Sequence, residues 1–439
     1  MNTVTLTSAV RHPQAEAWEA IILNFSLVFT QPTAHIFINL ITGWILCTTR
    51  RTITGIMPFA EPKGNRPHDA YHRLFPKSRW LPAQIWKLLA QMLIELFYPA
   101  GTVWMDMDDT IFHRTGRKVD GAGWWRDAIR STAFHVVHCW GLNLVVLTLR
   151  VIPPWGGEPL GLPINMRLHR KNGPGLIELA KQMLQEVKGW FPERQFIMCA
   201  DGFYATLAGC GASYTHIISR MRHDAAIYAL PKKKRKRQRG PKPKRGRRLG
   251  TPNQIASRVK HWRRVKTQER GKTKYRLVYA TVVLWYKVSH IPVLLVISRD
   301  PGGKEQDDFF FTTDLKLTPA EVIGGFAGRW SIEDTFKNTK QFLGSEEPQT
   351  WKDKGPERAA VISLCLYSMV WAWYIRYGYA KTRLPIIPWY RSKSCPSFQD
   401  ALAALRRLLW RKRIIVMFGN HTIPARITEF LIDALALAA

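Results

Sequence analysis

The amino-acid sequence predicts an α/β protein in which a strand-rich middle is flanked by helical N-terminal and C-terminal regions. Apolar residues recur at helical spacing up to about residue 98 and again from residue 318 onward. Between these regions, short β-branched and apolar runs alternate with glycine-containing turns. With 439 residues, of which 46% are hydrophobic, the chain is long enough for two or three domains and a sizeable core.

The chain is strongly basic, with 65 Lys and Arg residues against 32 Asp and Glu residues and a net charge of +33. Such a charge attracts polyanions, which are DNA, RNA or an anionic membrane surface. It does not fit an ordinary metabolic enzyme, and the hydrophobic content excludes a wholly disordered chain. The composition therefore favours a protein that binds a polyanion.

The six cysteines are scattered without a CxxC pair, which predicts neither a disulfide framework nor a zinc module. The histidines form no HxH or HExxH pattern, and we assign His113, His135 and His138 to structural roles. The first 15 residues lack the basic and apolar regions of a secretory signal. A reducing, cytoplasmic setting is the resulting expectation.

The N-terminal region contains a stretch without charged side chains, from Ala20 to Thr49. Gln31 and Pro32 interrupt this stretch and leave about a dozen apolar-rich residues beyond them, whereas a membrane-spanning helix needs roughly 20. We therefore predict two buried helices joined by a short turn.

A new domain is predicted to begin at about residue 100. Its strands are apolar or β-branched runs, and one helix between them has a proline near its start and a glycine near its end. The predicted elements are the strand Val103–Met107, a hairpin of Thr132–His138 with Leu142–Ile152, the helix Pro174–Trp190, and the strands Phe196–Ala200 and Tyr214–Ser219.

Positive charge is concentrated in Pro231–Lys274, which holds 20 basic residues and one acid. The first part mixes like charges with proline and glycine, which predicts a flexible basic loop. The second part has the spacing of a short amphipathic helix, with apolar positions at Ile255, Val259, Trp262 and Val265. Three strands are predicted after it: Tyr275–Lys287, His290–Arg299 and Asp308–Thr313.

Acidic residues stand at three separate places in the predicted domain. Asp106, Asp108 and Asp109 follow an apolar strand, Asp201 lies at the tip of another, and Glu333 lies on a helix. Mg²⁺ uses few protein carboxylates and keeps positions for water and phosphate oxygens, and two such ions can promote in-line phosphoryl transfer. The structural alternative is that these acids cap turns and helices.

A helix with a capping box is predicted from Thr318 toward Phe342. Phe326, Arg329, Glu333 and Lys340 are separated by three, four and seven residues and therefore share one face. This face combines a carboxylate for a metal ion with basic groups for phosphate. Arg329 and Glu333 also fit a plain intrahelical ion pair, which is the alternative interpretation.

The pattern F-x2-R-x3-E-x6-K resembles the Tyr-Arg-Glu-Lys signature of insertion sequence 4-type DDE transposases, with Phe326 in place of the tyrosine. The upstream DDT and CADGFY segments resemble the family's first and second catalytic aspartate motifs. The three motifs occur in the family's order between residues 103 and 340, with a long insertion before the glutamate.

The resemblance implies an RNase H-like catalytic core that is interrupted by a β-rich insertion and flanked by helical regions. The implied division is a helical DNA-end-binding region at 1–99, the core at 100–230 and 316–380, the insertion at 231–315 and a C-terminal helical region at 381–439. It also implies Asp108, Asp201 and Glu333 as ligands of Mg²⁺, for which Mn²⁺ substitutes. Asp109 and Asp106 are alternatives for the first ligand.

The implied partner is double-stranded DNA, both as transposon ends and as target, cut and joined by a homodimer or larger complex near a bacterial nucleoid. The implied phosphate contacts are Arg329, Lys337 and Lys340. Nonspecific DNA binding is expected from basic loop residues: Lys232, Lys233, Lys234, Arg235, Lys236, Arg237 and Arg239. The alternatives are a noncatalytic basic DNA-binding protein on a degraded transposase scaffold and an RNase H-fold nuclease.

Overall fold

The computed structural model describes residues 12–127, 130–132, 134–210, 215–232, 241, 243–381, 393–418 and 425–437. Over these residues the chain forms twelve α-helices, one large mixed sheet and one two-stranded sheet. The predicted α/β class is therefore confirmed. Most of the basic loop, residues 233–240 and 242, lies outside the described residues, so Lys232 is the one member of the nonspecific DNA-binding set whose surroundings are described.

The region before residue 99 is helical, as predicted. The stretch without charges contributes to two helices separated by residues 27–30, and a proline in the first turn of the second helix helps to start it. Large side chains from these helices, such as Trp18, Trp44 and Trp86, are buried in the core. The helices are α1 (Pro13–Ser26), α2 (Gln31–Leu46), α3 (Ile53–Ala60), α4 (His68–Leu74) and α5 (Pro82–Phe97).

Ten strands form the large sheet, in the order β2-β3-β1-β5-β6-β12-β11-β10-β9, with β4 also paired to β3. The strands are β1 (Val103–His113), β2 (Gly123–Arg126), β3 (His138–Val151), β4 (Leu160–His169), β5 (Phe196–Ala200), β6 (Thr215–Arg220), β9 (Arg263–Glu269), β10 (Lys272–Val283), β11 (Val293–Arg299) and β12 (Asp308–Thr312). The small sheet pairs β7 (Ile227–Tyr228) with β8 (Arg248–Gly250).

The first half of the large sheet is mixed. β1 runs parallel to β5, and β5 runs parallel to β6, whereas β3 is antiparallel to both β1 and β4. Parallel neighbours place the carboxyl ends of their strands at the same edge, which is where α/β proteins gather functional side chains. This arrangement is consistent with the RNase H-like core that the sequence resemblance implies.

Three predicted features of this half are wrong. β1 continues to His113, so its acids lie within the strand and not after it. The predicted strand Thr132–His138 is not formed over the described residues, because the hairpin partner of β3 is β2 and the described residues between them, 127, 130–132 and 134–137, belong to no strand. The predicted turn at 139–141 is instead part of β3, where Cys139 and Gly141 are buried between neighbouring strands.

The second half of the sheet holds the strands of the predicted insertion. β9 to β12 are antiparallel and extend the same sheet through the pairing of β12 with β6. The predicted amphipathic helix is shorter than expected, because α7 (Pro252–Arg258) ends before Trp262 and β9 then begins. A buried ion pair between Glu269 on β9 and Arg276 on β10 allows this polar sequence to form a strand.

Helices cover the sheet on both sides. α8 (Pro319–Gly328) begins with the predicted capping box, in which Thr318 and Glu321 bond each other's backbone. The predicted long helix is divided into two. α9 (Ser331–Leu343) begins two residues after α8 ends, and the backbone hydrogen bonds at this junction run from residue i to residue i−3. The remaining helices are α6 (Leu176–Trp190), α10 (Gly355–Trp373), α11 (Phe398–Phe418) and α12 (Ala425–Leu437).

Among the described helices, one segment is long and apolar enough to cross a membrane by length and composition alone. It comprises α10 and its continuation to Gly378, and 94% of its most apolar window is buried inside the protein. Burial of this kind is also found in the central helices of protein cores.

Candidate active site

The three acids of β1 point to two sides of the sheet, because successive side chains alternate along a strand. Asp106 and Asp108 lie on the side of α9, where Asp106 accepts a hydrogen bond from Ser331 Oγ at 3.3 Å and Asp108 contacts Arg329. Asp109 lies on the other side and accepts a hydrogen bond from the hydroxyl of Tyr204 at 3.1 Å. The three acids therefore have different surroundings despite their proximity in sequence.

Asp106 is fully buried in an ion pair with Arg150 of β3. Arg150 Nε donates to Asp106 Oδ2 at 3.0 Å, and Nη2 donates to Oδ1. Burial alone lowers the pKa of Arg150, but the Asp106 carboxylate outweighs it and holds that pKa above its ordinary value. A Cβ at Gly328 would lie 2.8 Å from the Arg150 guanidinium, so the end of α8 fits only glycine there.

Asp108 and Glu333 are joined by the guanidinium of Arg329. Nη1 of Arg329 donates to Asp108 Oδ2 at 2.6 Å, and Nη2 donates to Glu333 Oε1 at 2.9 Å. The two carboxylates come from elements more than 200 residues apart in sequence, and their side chains are 20% and 34% exposed. One guanidinium therefore bridges two carboxylates at the surface of the sheet.

Asp201 follows the last residue of β5 and lies beside Asp108. In the parallel pairing of β1 with β5, Met107 is opposite Ala200, so the next residues of both strands are the two aspartates. Asp201 Oδ1 accepts the backbone N–H of Phe203 at 3.0 Å and caps a 3₁₀ helix at Gly202–Gly209. Asp201 therefore caps a helix, as the structural alternative predicts, and also lies close to Asp108.

The environment of Asp108 disfavours its charge. Burial raises the pKa of Asp108 from 3.8 to about 7; the guanidinium of Arg329 opposes the shift, and the negative charges of Asp109 and Asp201 add to it. The pKa of Asp109 is also raised, chiefly by burial, while the hydrogen bond from Tyr204 opposes that change. Such crowding of acids is typical of sites that bind cations.

We predict a pH dependence of stability that depends on Asp108. Because its pKa of about 7 in the folded chain exceeds the ordinary value of 3.8, the folded state holds a proton that the unfolded state releases. The stabilising contribution is fully present below about pH 4 and is lost as pH rises through about 7. Urea unfolding in EDTA should show wild type losing stability relative to Asp108→Asn over this window, and a constant difference would contradict the prediction.

Asp108, Asp201 and Glu333 are not among the described groups whose ligand atoms all lie within 4.8 Å of one another. Among the described residues, the one group of three potential ligands with all ligand atoms within 4.8 Å of one another is His113, Asp127 and Cys139. A cation shared by Asp108, Asp201 and Glu333 would replace the guanidinium of Arg329 between the first and last of them. The donor set is chemically suitable, since hard divalent cations prefer carboxylate oxygens.

The remaining residues of the signature lie along the same helices. Phe326 packs against Phe310 with tilted rings at a centroid distance of 5.0 Å, and the guanidinium of Arg220 lies 5.5 Å from the centre of the Phe326 ring. Lys340 Nζ donates to the backbone oxygen of Ile111 on β1 at 2.6 Å. Lys337 is exposed. A phosphate contact by Lys340 would therefore require it to leave the β1 backbone.

An open groove of about 1190 Å³ begins beside Asp201, at Gly202 and Phe203. Arg220, Arg222 and His223 line it, and Phe203 is 54% exposed within it. Neither these groups nor the partners Tyr204 and Arg150 were identified from the sequence. Of these residues, Tyr204 in CADGFY could have been found most easily from the sequence, because a 3₁₀ turn after the strand brings it back toward β1.

One comparison with known protein families gives a match. A family model described as DDE superfamily endonuclease matches residues 25–274, which is more than half of the chain. The match includes the acids of β1 and Asp201 but ends before α9 and Glu333. No curated protein matches the sequence. On the extent of the family match, this chain belongs to the DDE superfamily endonucleases.

Proposed function

We propose that this endonuclease is a DNA transposase of the insertion sequence 4 type, with Asp108, Asp201 and Glu333 as its metal ligands. The observation that carries the proposal is the Arg329 guanidinium, which bonds the carboxylates of Asp108 and Glu333. Asp201 flanks them on the adjacent parallel strand. Two of the three carboxylates thus share one cation, and the third lies beside the first of them.

Divalent ions bound there would supply the activation of water or a 3′-hydroxyl and the stabilisation of the leaving oxygen in an in-line displacement. The residues of the chain orient the reaction. Asp201 is held by the backbone of the 3₁₀ helix, and Glu333 is held in the first turn of α9, so both carboxylates sit on rigid elements. Hydrolysis at an element end followed by joining to target DNA needs no covalent protein intermediate.

Asp108 is the preferred first ligand on the basis of its neighbours. Asp106 is fully buried and already paired with Arg150, and Asp109 faces Tyr204 on the other side of the sheet. Asp108 alone of the three bonds to the arginine that Glu333 also contacts. Once a metal ion replaces its guanidinium, Arg329 is free to bind a phosphate, together with Lys337 and Lys340.

The remaining parts of the proposal follow the resemblance. Residues 1–99 would read the element ends, aided by exposed basic groups near helix ends at Arg50 and Arg73, whereas Arg51 is buried and donates to the backbone oxygen of Phe342 at 3.0 Å. The core would comprise 100–230 and 316–380, with the insertion at 231–315 and a helical region at 381–439. The substrate is DNA, the ion is Mg²⁺ or Mn²⁺, and the active form is a dimer or larger complex associated with the nucleoid.

A second candidate function is noncatalytic DNA binding. It is favoured by the engagement of Lys340 with the β1 backbone, which keeps this lysine from a phosphate. The wild-type chain should be incubated with duplexes that carry the DNA flanking its gene and with Mg²⁺, Mn²⁺ or EDTA. Metal-dependent nicking at a defined position supports the transposase, whereas binding without nicking under every metal condition supports the second candidate.

We predict that the basic loop supplies much of the nonspecific affinity for DNA. Replacing seven of the basic residues of the loop by glutamine should reduce the slope of log affinity against log salt by about 0.9 for each phosphate that is no longer neutralised. Substitution is preferable to deletion, because Arg245 packs on Tyr228 and Arg248 begins β8. The substituted residues are Lys232, Lys233, Lys234, Arg235, Lys236, Arg237 and Arg239.

Fluorescence anisotropy over a salt series measures this slope. A control variant replaces Lys188, which bonds the backbone oxygen of Arg194 after α6, and Arg194, which bonds the backbone oxygen of Tyr98 after α5. It should leave the slope unchanged. An unchanged slope in the loop variant would assign the nonspecific contacts to another surface. Metal-dependent nicking at high protein concentration should survive the loop substitutions.

A further inference from the structure

A second group of potential metal ligands lies at the edge of the sheet, away from the acids proposed to cut DNA. A ring nitrogen of His113, a carboxylate oxygen of Asp127 and the sulfur of Cys139 lie within 4.8 Å of one another. They come from the end of β1, the residue after β2 and the start of β3. Because the three residues are far apart in sequence, no metal-binding spacing was recognisable.

The histidine is oriented for coordination. Nδ1 of His113 is 2.9 Å from Glu346 Oε1, and this carboxylate also accepts the backbone N–H of His113 at 2.8 Å. The other ring nitrogen, Nε2, is buried and has no hydrogen-bond partner among the residues that the structure describes. A carboxylate on one ring nitrogen fixes the tautomer that leaves the other one available as a metal ligand.

The other two groups are also placed for a metal ion. Cys139 and Asp127 are 7% exposed, so a cation between them would be shielded from most of the solvent. Asp127 forms an ion pair with Arg130, whose Nε lies 3.5 Å from Asp127 Oδ2. The side chain of Arg130 is 67% exposed. Arg130 can therefore move into water when a metal ion takes over the neutralisation of the carboxylate.

The spacing suits a small tetrahedral ion. Three atoms no more than 4.8 Å apart have a common centre within about 2.8 Å of each, and Zn²⁺ bonds to N, O and S are about 2.0 to 2.3 Å. Shifts below about 1 Å would close the site. A mixed set with a thiolate favours Zn²⁺ over Mg²⁺, because Mg²⁺ prefers oxygen ligands.

We propose that His113 Nε2, Asp127 and Cys139 form a zinc site, with the thiol proton released to solvent on binding and a fourth position open to water. The ion would join β1, β2 and β3 five residues beyond Asp108. The ion would thereby hold these three strands together at one edge of the sheet, and the same sheet also carries the candidate active site. Glu346 is a positioning residue, and it also lies 3.5 Å from Lys340 Nζ.

Cobalt substitution tests this proposal in the full-length chain after removal of metals with a chelator. One equivalent of Co²⁺ should give a thiolate-to-cobalt charge-transfer band in the near ultraviolet, and one equivalent of Zn²⁺ should abolish it. Cys139→Ser should lose the band, whereas Cys210→Ser, which alters an exposed cysteine, should retain it. Glu346→Gln should weaken zinc binding by about tenfold or more.

Absence of the band in wild type, or its persistence in Cys139→Ser, would overturn the zinc site. His113→Gln provides a second ligand variant if Cys139→Ser does not fold, with far-ultraviolet circular dichroism as the check. Asp201→Asn should keep the band, because its carboxylate belongs to the other site. This variant separates the zinc proposal from the proposed cleavage function, since either can fail alone.

Discussion

Asp201→Asn should lower metal-dependent DNA cleavage by about a thousandfold or more. The amide is nearly isosteric with the carboxylate and can still accept the N–H of Phe203, so the 3₁₀ helix should keep its cap. What is lost is the negative charge beside Asp108 that a divalent ion requires. The measurement is single-turnover nicking of end-containing DNA with Mg²⁺.

Two controls accompany this variant. Glu178→Gln removes a carboxylate from the exposed face of α6, where its partner is Lys181 at 4.0 Å, and should leave cleavage unchanged. DNA binding by Asp201→Asn should be retained or tighter, because one negative charge near the DNA is gone. Cleavage at the wild-type rate would remove Asp201 from the active site.

Asp106→Ala should destabilise the fold by about 3 to 5 kcal/mol, measured as the change in the free energy of unfolding. The substitution leaves the guanidinium of Arg150 buried and without its carboxylate. A typical domain has about 5 to 15 kcal/mol of stability in total, so this loss is large. Urea unfolding with tryptophan fluorescence as the signal measures it.

The matched control is Asp120→Ala, which removes the carboxylate of a half-exposed pair with Arg170. Such pairs contribute about 1 kcal/mol or less. Equal effects of the two substitutions would contradict the structural role of Asp106. A stable Asp106→Ala chain that cannot cleave DNA would instead return Asp106 to the set of first-ligand candidates.

Several elements were predictable because local sequence determines them. β5 was predicted to the residue, since Phe196–Ala200 is an apolar run buried on both faces. The start of α8 was fixed by reciprocal bonds between Thr318 and Glu321. The helical N-terminal region and the strands β10, β11 and β12 were also predicted, although β10 ends at Val283 and not at Lys287.

Other elements depended on partners distant in sequence. β1 was predicted too short because charged residues normally end a buried strand, and the compensating partner of Asp106, Arg150, lies 44 residues away. The start of β9 was predicted as helix because Val265 continues a helical spacing, whereas the interior pair of Glu269 with Arg276 stabilises a strand. Because ion pairs between strands join residues that are distant in sequence, the local apolar periodicity does not reveal that such a polar segment forms a strand.

The candidate site, too, is determined partly by local sequence and partly by residues distant along the chain. The sequence indicated which acids to compare, and the order of the motifs indicated a common reaction. It left three choices for the first ligand, because Asp106, Asp108 and Asp109 differ only in what faces them. The contacts of Arg329 and Tyr204, from elements far along the chain, distinguish the three.

If Asp201 binds the ion that promotes DNA cleavage, Asp201→Cys should change the metal preference of the reaction. A thiolate is a poor ligand for Mg²⁺ and a better one for softer ions such as Mn²⁺. Nicking by Asp201→Cys should therefore be lost with Mg²⁺ and recovered in part with Mn²⁺, while wild type works with both. Undiminished nicking by Asp201→Cys with Mg²⁺ would contradict this role of Asp201.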